Sequence, residues 1–214
     1  MTQAPWQNHF WTPEPLWRGD RVFILASGPS LTNDTAAKVR GHRTIALNGT
    51  TFSHAPWASC WHFMDNSVFV RHRDAIAAFP GLVVTCSRKA KREMGPAVHR
   101  VQLEHRPDFP PPGAAVIRWG RSTGHTAVSL ALALGARRVV LLGYDMRAVD
   151  GRTHGHDDYR GKIKDPDLYA REFIPGFDGW RAAALAAGCE VVNATLGSAL
   201  TEFPAVDLDA ELAG

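Results

Sequence analysis

The sequence predicts a single-domain α/β fold, a mainly parallel sheet with helices on both faces. Three observations carry that expectation. First, a short apolar run from Val22 to Ala26 stops at Ser27-Gly28-Pro29-Ser30, and a helical pattern follows from Leu31. Second, further short runs rich in Val, Ile and Leu alternate with helical stretches, the order that builds βα units. Third, Ser122-Thr123-Gly124-His125 opens a longer helix that stops at Gly135, just before the buried run Arg138 to Leu142. Strand, glycine-containing turn and helix near the N-terminus make the first unit of a Rossmann-like nucleotide-binding sheet.

The totals agree with one domain. A chain of 214 residues that is 45% hydrophobic and 21% charged has a sizeable core and no room for a second full domain. No apolar run approaches the ~20 residues needed to cross a bilayer. The N-terminus lacks a basic region followed by an apolar stretch, so the cytoplasm is the expected location. Cys60, Cys86 and Cys189 lie far apart in or beside apolar runs and read as buried free thiols. A net charge of +3 permits acidic ligands such as nucleotides without demanding nucleic acid.

Taken in order, residues 1–20 are a Pro- and Trp-rich arm, packed on the domain by Trp6, Trp11 and Trp17, or serving as a lid or a contact in a homo-oligomer. Residues 21–204 form the Rossmann-like domain and 205–214 a peripheral acidic tail. In the first turn, Gly28 allows close backbone approach and Ser27 and Ser30 offer hydroxyls to a phosphate or to the helix end. Pro29 suits the first helical turn, where its missing N–H is not needed. That helix runs from about Leu31 to Arg40. A second strand from Arg43 ends at Asn48, and a third from Ser59 ends at Asp65, the positions where parallel sheets bind ligands. Asn48 is either a ligand to base or ribose or a turn residue tolerating left-handed geometry. Asp65 is either a helix cap or a polar ligand.

A helix from Ser67 to Phe79 and a strand from Leu82 to Ser87 precede the basic cluster Arg88, Lys89, Lys91 and Arg92, which is a solvated face or a phosphate contact. Val98 to Leu103 is a further strand, and residues 104–121 a Pro-rich loop. The helix after Ser122 or Thr123 presents Val128, Leu130, Ala131 and Leu134 to the sheet. Its N-terminus is a second place suited to an anion. The next strand ends at Gly143-Tyr144-Asp145, and a polar segment, residues 147–178, follows with His154, His156, Asp157, Asp158, Tyr159, Lys162 and Lys164. A last helix from Asp178 to Ala187 and a last strand from Glu190 to Asn193 complete the pattern.

Ile24 to Leu31 with Asn48, then Ser122 to Asp145, then Val192-Asn193 and Ser198 to Pro204, together resemble the bacterial sialyltransferases of glycosyltransferase family 42. They also resemble the related DUF115 group, which includes archaeal 6-hydroxymethylpterin diphosphokinases and motility-accessory glycosylation proteins; small phage-encoded proteins of this type are similar too. The resemblance implies a nucleotide-binding transferase that uses CMP-sugar in the one group and ATP in the other. It places nucleotide contacts on Ser27, Gly28, Ser30 and Asn48, with Ser122, Thr123 and Gly124 on the other side. The turn departs from the transferase pattern, which carries Asn where this chain has Ser27.

Glycosyl transfer needs a base for the acceptor hydroxyl and neutralisation of the leaving phosphate. His154 or His156 suits the first task. Tyr144, Tyr159, Arg118 or Arg121 suits the second. The candidate catalytic set is therefore His154, His156, Asp145 and Tyr159; Ser27, Gly28, Pro29, Ser30, Asn48, Asp65, Ser122, Thr123, Gly124, Gly143 and Tyr144 form the nucleotide site. The acceptor is a glycan, a small molecule or a modified nucleic acid. Diphosphate transfer instead needs magnesium, for which Asp65 and Asp145 at strand ends are the natural pair. A non-catalytic nucleotide-binding or assembly protein is the third reading.

Overall fold

The computed structural model describes residues 10–155, 165 and 167–214. Strands are numbered in chain order: β1 Arg21–Leu25, β2 Arg43–Leu47, β3 Cys60–Phe63, β4 Leu82–Thr85, β5 His99–Arg100, β6 Gln102–Glu104, β7 Val116–Arg118, β8 Arg138–Leu142 and β9 Glu190–Asn193. The helices are α1 Asn33–Lys38, α2 Gly49–Ser53, α3 Asn66–Arg71, α4 Arg73–Ala78, α5 Arg88–Met94, α6 Thr123–Ala133, α7 Trp180–Ala186 and α8 Leu208–Ala213.

Seven strands form one sheet in the order β5-β4-β3-β2-β1-β8-β9, all paired in parallel. The chain builds outward from β1 to β5, then crosses back to place β8 on the other side of β1. The gap between β1 and β8 is thus the topological switch point, where crevices open at the carboxyl ends of the strands. Alternation along β1 sends Val22 and Ile24 to one face, against α6 and α7, and Phe23 and Leu25 to the other, against α1 and α8. Strands buried on both faces read as continuous apolar runs, which is why Val22 to Ala26 shows no polar alternation.

The structure corrects several local expectations. The first helix begins at Asn33, capped by Thr32, so Pro29 and Ser30 belong to the preceding turn and not to a helical turn. The segment 67–79 is two helices, broken at His72. Val98 to Leu103 divides between β5 of the main sheet and β6 of a second sheet. Inside the supposed Pro-rich loop lies β7, which pairs in parallel with β6. That small sheet covers the outer side of α6, with Ser129 Oγ accepting from the Arg118 amide at 2.7 Å. As a result every residue of α6 is buried, polar His125, Thr126 and Ser129 included, where a one-sided amphipathic helix was expected.

The arm from residue 10 onward and the C-terminal tail pack closely on the domain. Trp17 is buried and its amide donates to Leu134 O, while Trp11 lies against the His99 ring. The acidic tail, expected to be peripheral, forms α8, and Glu211 is buried against Arg138, whose Nε and Nη2 donate to its two oxygens at 2.6 and 2.7 Å. Arg21 bonds the same residue. Cys60 and Cys189 are buried free thiols as expected, and Cys86 is half-buried.

Candidate functional site

A cleft of about 240 Å³ opens at the switch point. Its walls come from the strand ends: Ser27 and Gly28 after β1, Asn48 after β2, Asp65 after β3, and Gly143, Tyr144 and Asp145 after β8. The start of α6 closes one side with Arg121, Ser122, Thr123 and Gly124, and Thr153, His154, Tyr169 and Phe173 form the rim. The fold therefore brings together most of the residues singled out in the sequence. Pro29 and Ser30 are not among the lining residues, and His156 and Tyr159 lie outside the described residues.

Beyond Ser27, the first turn does not offer its amides to a ligand. Gly28 N donates to Gly143 O at 2.9 Å, Leu31 N to Gly28 O at 3.2 Å, and Pro29 has no N–H. Ser30 donates through its hydroxyl at 2.9 Å and its amide at 3.4 Å to one oxygen of Asp145. Ser30 thus holds Asp145, not a phosphate. Gly28 is a glycine for a related reason: a Cβ there would lie 2.0 Å from Asp145 Oδ2 and 2.3 Å from Gly143 O. Burial pushes the Asp145 carboxyl up from its ordinary pKa, against the lowering effect of the Ser30 bonds. Ser27 faces the cleft, its Oγ accepting from Thr50 Oγ1 at 3.1 Å.

The start of α6 is the opposite case. Ser122 is the N-cap residue, but its side chain makes no cap hydrogen bond; its Oγ pairs instead with His125 Nδ1 at 2.8 Å. The amide N–H groups of Thr123 and Gly124 have no protein partner among the described residues, as expected of the first helical positions. Arg121 stands beside them in the cleft wall. His125 is fully buried, stacked on Phe177 with centroids 3.6 Å apart, and burial together with nearby Arg118 and Arg121 lowers its pKa to about 3. It is a neutral prop for Ser122. The Tyr144 ring lies against Gly124, and its hydroxyl donates to Gly124 O at 3.0 Å. That phenol, held back by burial from ionising, supports the helix start and has no proton left for a phosphate.

Arg118 is also removed from phosphate duty. Its guanidinium lies over Trp180 at 4.4 Å and Phe109 at 5.1 Å, buried behind α6 and outside the cleft.

Asn48 combines two unusual features. Its backbone adopts φ 49° and ψ −129°, and its Oδ1 is buried with no hydrogen-bond partner. Its positive φ agrees with the turn reading from the sequence, and the residue lines the cleft. Asp65 is the N-cap residue of α3 without a side-chain cap bond, and it too lines the cleft. His154 is held close by: Gly155 N donates to Ser27 O at 2.9 Å, and Thr153 Oγ1 meets His154 Nδ1 at 3.0 Å. Tyr169 Oη, unmarked in the sequence reading, ties this segment down by donating to Thr153 O at 3.1 Å. It starts a π-helical turn, Tyr169–Phe173, a feature frequent at functional sites that local sequence pattern does not reveal.

Among the described residues no group of three His, Cys, Asp or Glu side chains could hold a metal ion. Asp65 and Asp145, the pair the sequence suggested for magnesium, both line the cleft, and one oxygen of Asp145 is held by Ser30. No helix among the described residues is long and apolar enough to cross a membrane.

No protein-family model and no curated protein matches the sequence. A solved structure does match the fold: the sialyltransferase CstII from Campylobacter jejuni in complex with a substrate analogue, cytidine-5'-monophosphate. The two superpose with a TM-score of 0.57 over 88% of this chain and 85% of that one, at 14% sequence identity.

Proposed function

We propose that the protein is a transferase acting on a nucleotide-activated donor, a sialyltransferase-like glycosyltransferase. One observation carries the reading. The cleft at the switch point is lined on one side by Arg121, Thr123 and Gly124, the last two with amides that have no partner among the described residues, and elsewhere by Asn48. The first group suits an anion, the second a hydrogen-bond donor on a base or ribose, and a nucleotide offers both. A solved structure of the same fold, holding cytidine-5'-monophosphate, supports the choice.

In this reading the leaving phosphate lies against the α6 start and Arg121, which offset its growing charge. His154 takes the proton of the acceptor hydroxyl as the new C–O bond forms and the bond from sugar carbon to phosphate oxygen breaks. Calorimetric titration with CMP, CDP, UDP, GDP, ADP and ATP, with and without magnesium, tests it. Metal-independent binding of CMP or another nucleotide that a sugar donor would release is expected. Binding of ATP or ADP that requires magnesium would overturn it in favour of diphosphate transfer. His154→Ala should then abolish transfer while leaving nucleotide affinity within a factor of ~2, the split expected of a group acting only in the transition state.

A further inference from the structure

We propose that Trp61 is a positioning residue for the nucleotide subsite: its indole N–H holds Asn48 in the backbone conformation with which it lines the cleft. The inference rests on the reading of the cleft as a nucleotide site. It goes further by assigning a role to a fully buried residue that does not line the cleft.

Asn48 is one of only three non-glycine residues with positive φ among the described residues, and its ψ of −129° takes it out of the ordinary left-handed well. Such a conformation persists only where its surroundings over-determine it. Both restraints come from β3. Asn48 N donates to His62 O at 3.0 Å, and Trp61 Nε1 donates to Asn48 O at 2.9 Å. The first is a sheet-like bond that almost any residue at position 62 would supply. The second needs a side-chain donor at position 61, and no phenylalanine would provide it.

Packing alone does not call for tryptophan there. The Trp61 ring meets Phe63 and Phe79 edge-on at 6.4 and 5.6 Å, contacts that another aromatic ring would largely keep. The second, independent sign is on the ligand side. Asn48 lines the cleft, and its Oδ1 is buried without a partner, a cost that the fold carries at this residue. Strain in the backbone, a dedicated donor holding it and an unmet acceptor at its tip converge on one residue. Without the indole N–H, the Asn48 carbonyl loses its anchor and the residue is free to relax to an ordinary conformation, which alters the cleft wall.

The test uses wild type, Trp61→Phe, Asn48→Gly and the double variant, with Phe63→Leu as a packing control. Melting temperature and affinity for CMP, CDP, UDP and GDP are measured for each. Glycine tolerates the Asn48 conformation, so Asn48→Gly should raise the melting temperature while weakening the tightest of these nucleotides. Trp61→Phe should weaken it by about tenfold, the loss expected when one hydrogen-bonded orientation is lost. In the Trp61→Phe background, Asn48→Gly should no longer raise the melting temperature, because the strain is already released. Phe63→Leu should lower the melting temperature without changing affinity.

Equal stabilisation by Asn48→Gly in both backgrounds would overturn the proposal, as would a Phe63→Leu affinity loss equal to that of Trp61→Phe. Should Trp61→Phe not fold, replacing Trp61 by 3-benzothienylalanine keeps the ring shape, removes only the N–H, and is read by the same criteria. If wild type binds none of the four nucleotides, the functional reading fails, while the melting-temperature coupling still decides whether Trp61 holds Asn48.

Discussion

The two glycine turns at the switch point look alike in the sequence and differ in the structure. Ser27-Gly28-Pro29-Ser30 and Ser122-Thr123-Gly124 both follow the pattern of an anion-binding turn at the start of a helix. In the first, Gly28 N and Ser30 N point at Gly143 O and Asp145. In the second, Thr123 N and Gly124 N have no partner among the described residues. The first turn is a strut between β1 and β8, and the second is open to a ligand. The difference arises from what lies across the gap. Gly143 and Asp145 reach over from β8 to meet the first turn, whereas α6 begins beyond the strand ends with only a tyrosine ring beside it.

The largest expected effect separates the turns by stability. Gly28→Ala places a methyl 2.0 Å from Asp145 Oδ2 and 2.3 Å from a backbone oxygen, neither of which can retreat. A loss of at least ~3 kcal/mol is expected, read by urea unfolding. Gly124→Ala meets the Tyr144 ring at 3.0 Å and Ser122 Oγ at 3.4 Å, both side chains, and gains helix propensity. Its net change should stay within ~1 kcal/mol. Comparable losses at the two glycines would erase the distinction.

Acid should expose the props of the second turn. His125 and the equally buried His62, whose Nε2 meets Thr126 Oγ1 at 2.8 Å, have pKa values lowered to about 3 and about 4 by burial. Both are neutral in the fold, while the unfolded chain takes up protons below about pH 6.5. Their stability contribution is therefore complete above that pH and declines as pH falls toward 4 and then 3. Each proton taken up on unfolding adds a slope of about 1.4 kcal/mol per pH unit. Unfolding free energies between pH 7.5 and 4.5 check this, and His125→Gln should flatten the slope. Asp145, under the first turn, is shifted upward and acts with the opposite sign: its contribution is full at low pH and fades as pH rises through its folded pKa.

A smaller effect follows from Ser30→Ala, which removes the hydroxyl bonded to the buried Asp145. A loss of ~1–3 kcal/mol is expected, with nucleotide affinity little changed. A large affinity loss without a stability loss would return the first turn to the ligand. Arg121→Gln should show the reverse. Arg121 makes no ion pair among the described residues, so melting temperature should hold. Nucleotide affinity should fall by about tenfold or more, as for a charge-assisted hydrogen bond.

What the sequence made legible was the order of elements and the end of the sheet that carries the cleft. Apolar runs such as Val22 to Ala26 and breakers such as Gly135 are local signals, and the strand-end residues Asn48, Asp65 and Asp145 followed from them. Less visible was anything decided by a distant partner. Ser30 reads as a phosphate ligand until Asp145 is seen to occupy it. Arg118 reads as a phosphate-holding residue until Trp180 is seen beneath it. The prolines around β7 hid a strand of three residues, too short to show an alternation. Glu211 looked like part of a loose tail because its partners, Arg21 and Arg138, stand at the far ends of two central strands.

The placement of β8 also sets the order in which the molecule can be made. β1 finds β2 as soon as the next strand leaves the ribosome, but its other edge stays open until Arg138–Leu142 has been synthesised. During that interval the nascent chain exposes an apolar edge strand, the kind of surface that chaperones cover and that templates aggregation. The cleft itself cannot exist before that edge is filled. A nucleotide present during synthesis therefore has nothing to bind until the second half of the sheet has docked, and ligand rescue of slow-folding variants should act only after that step.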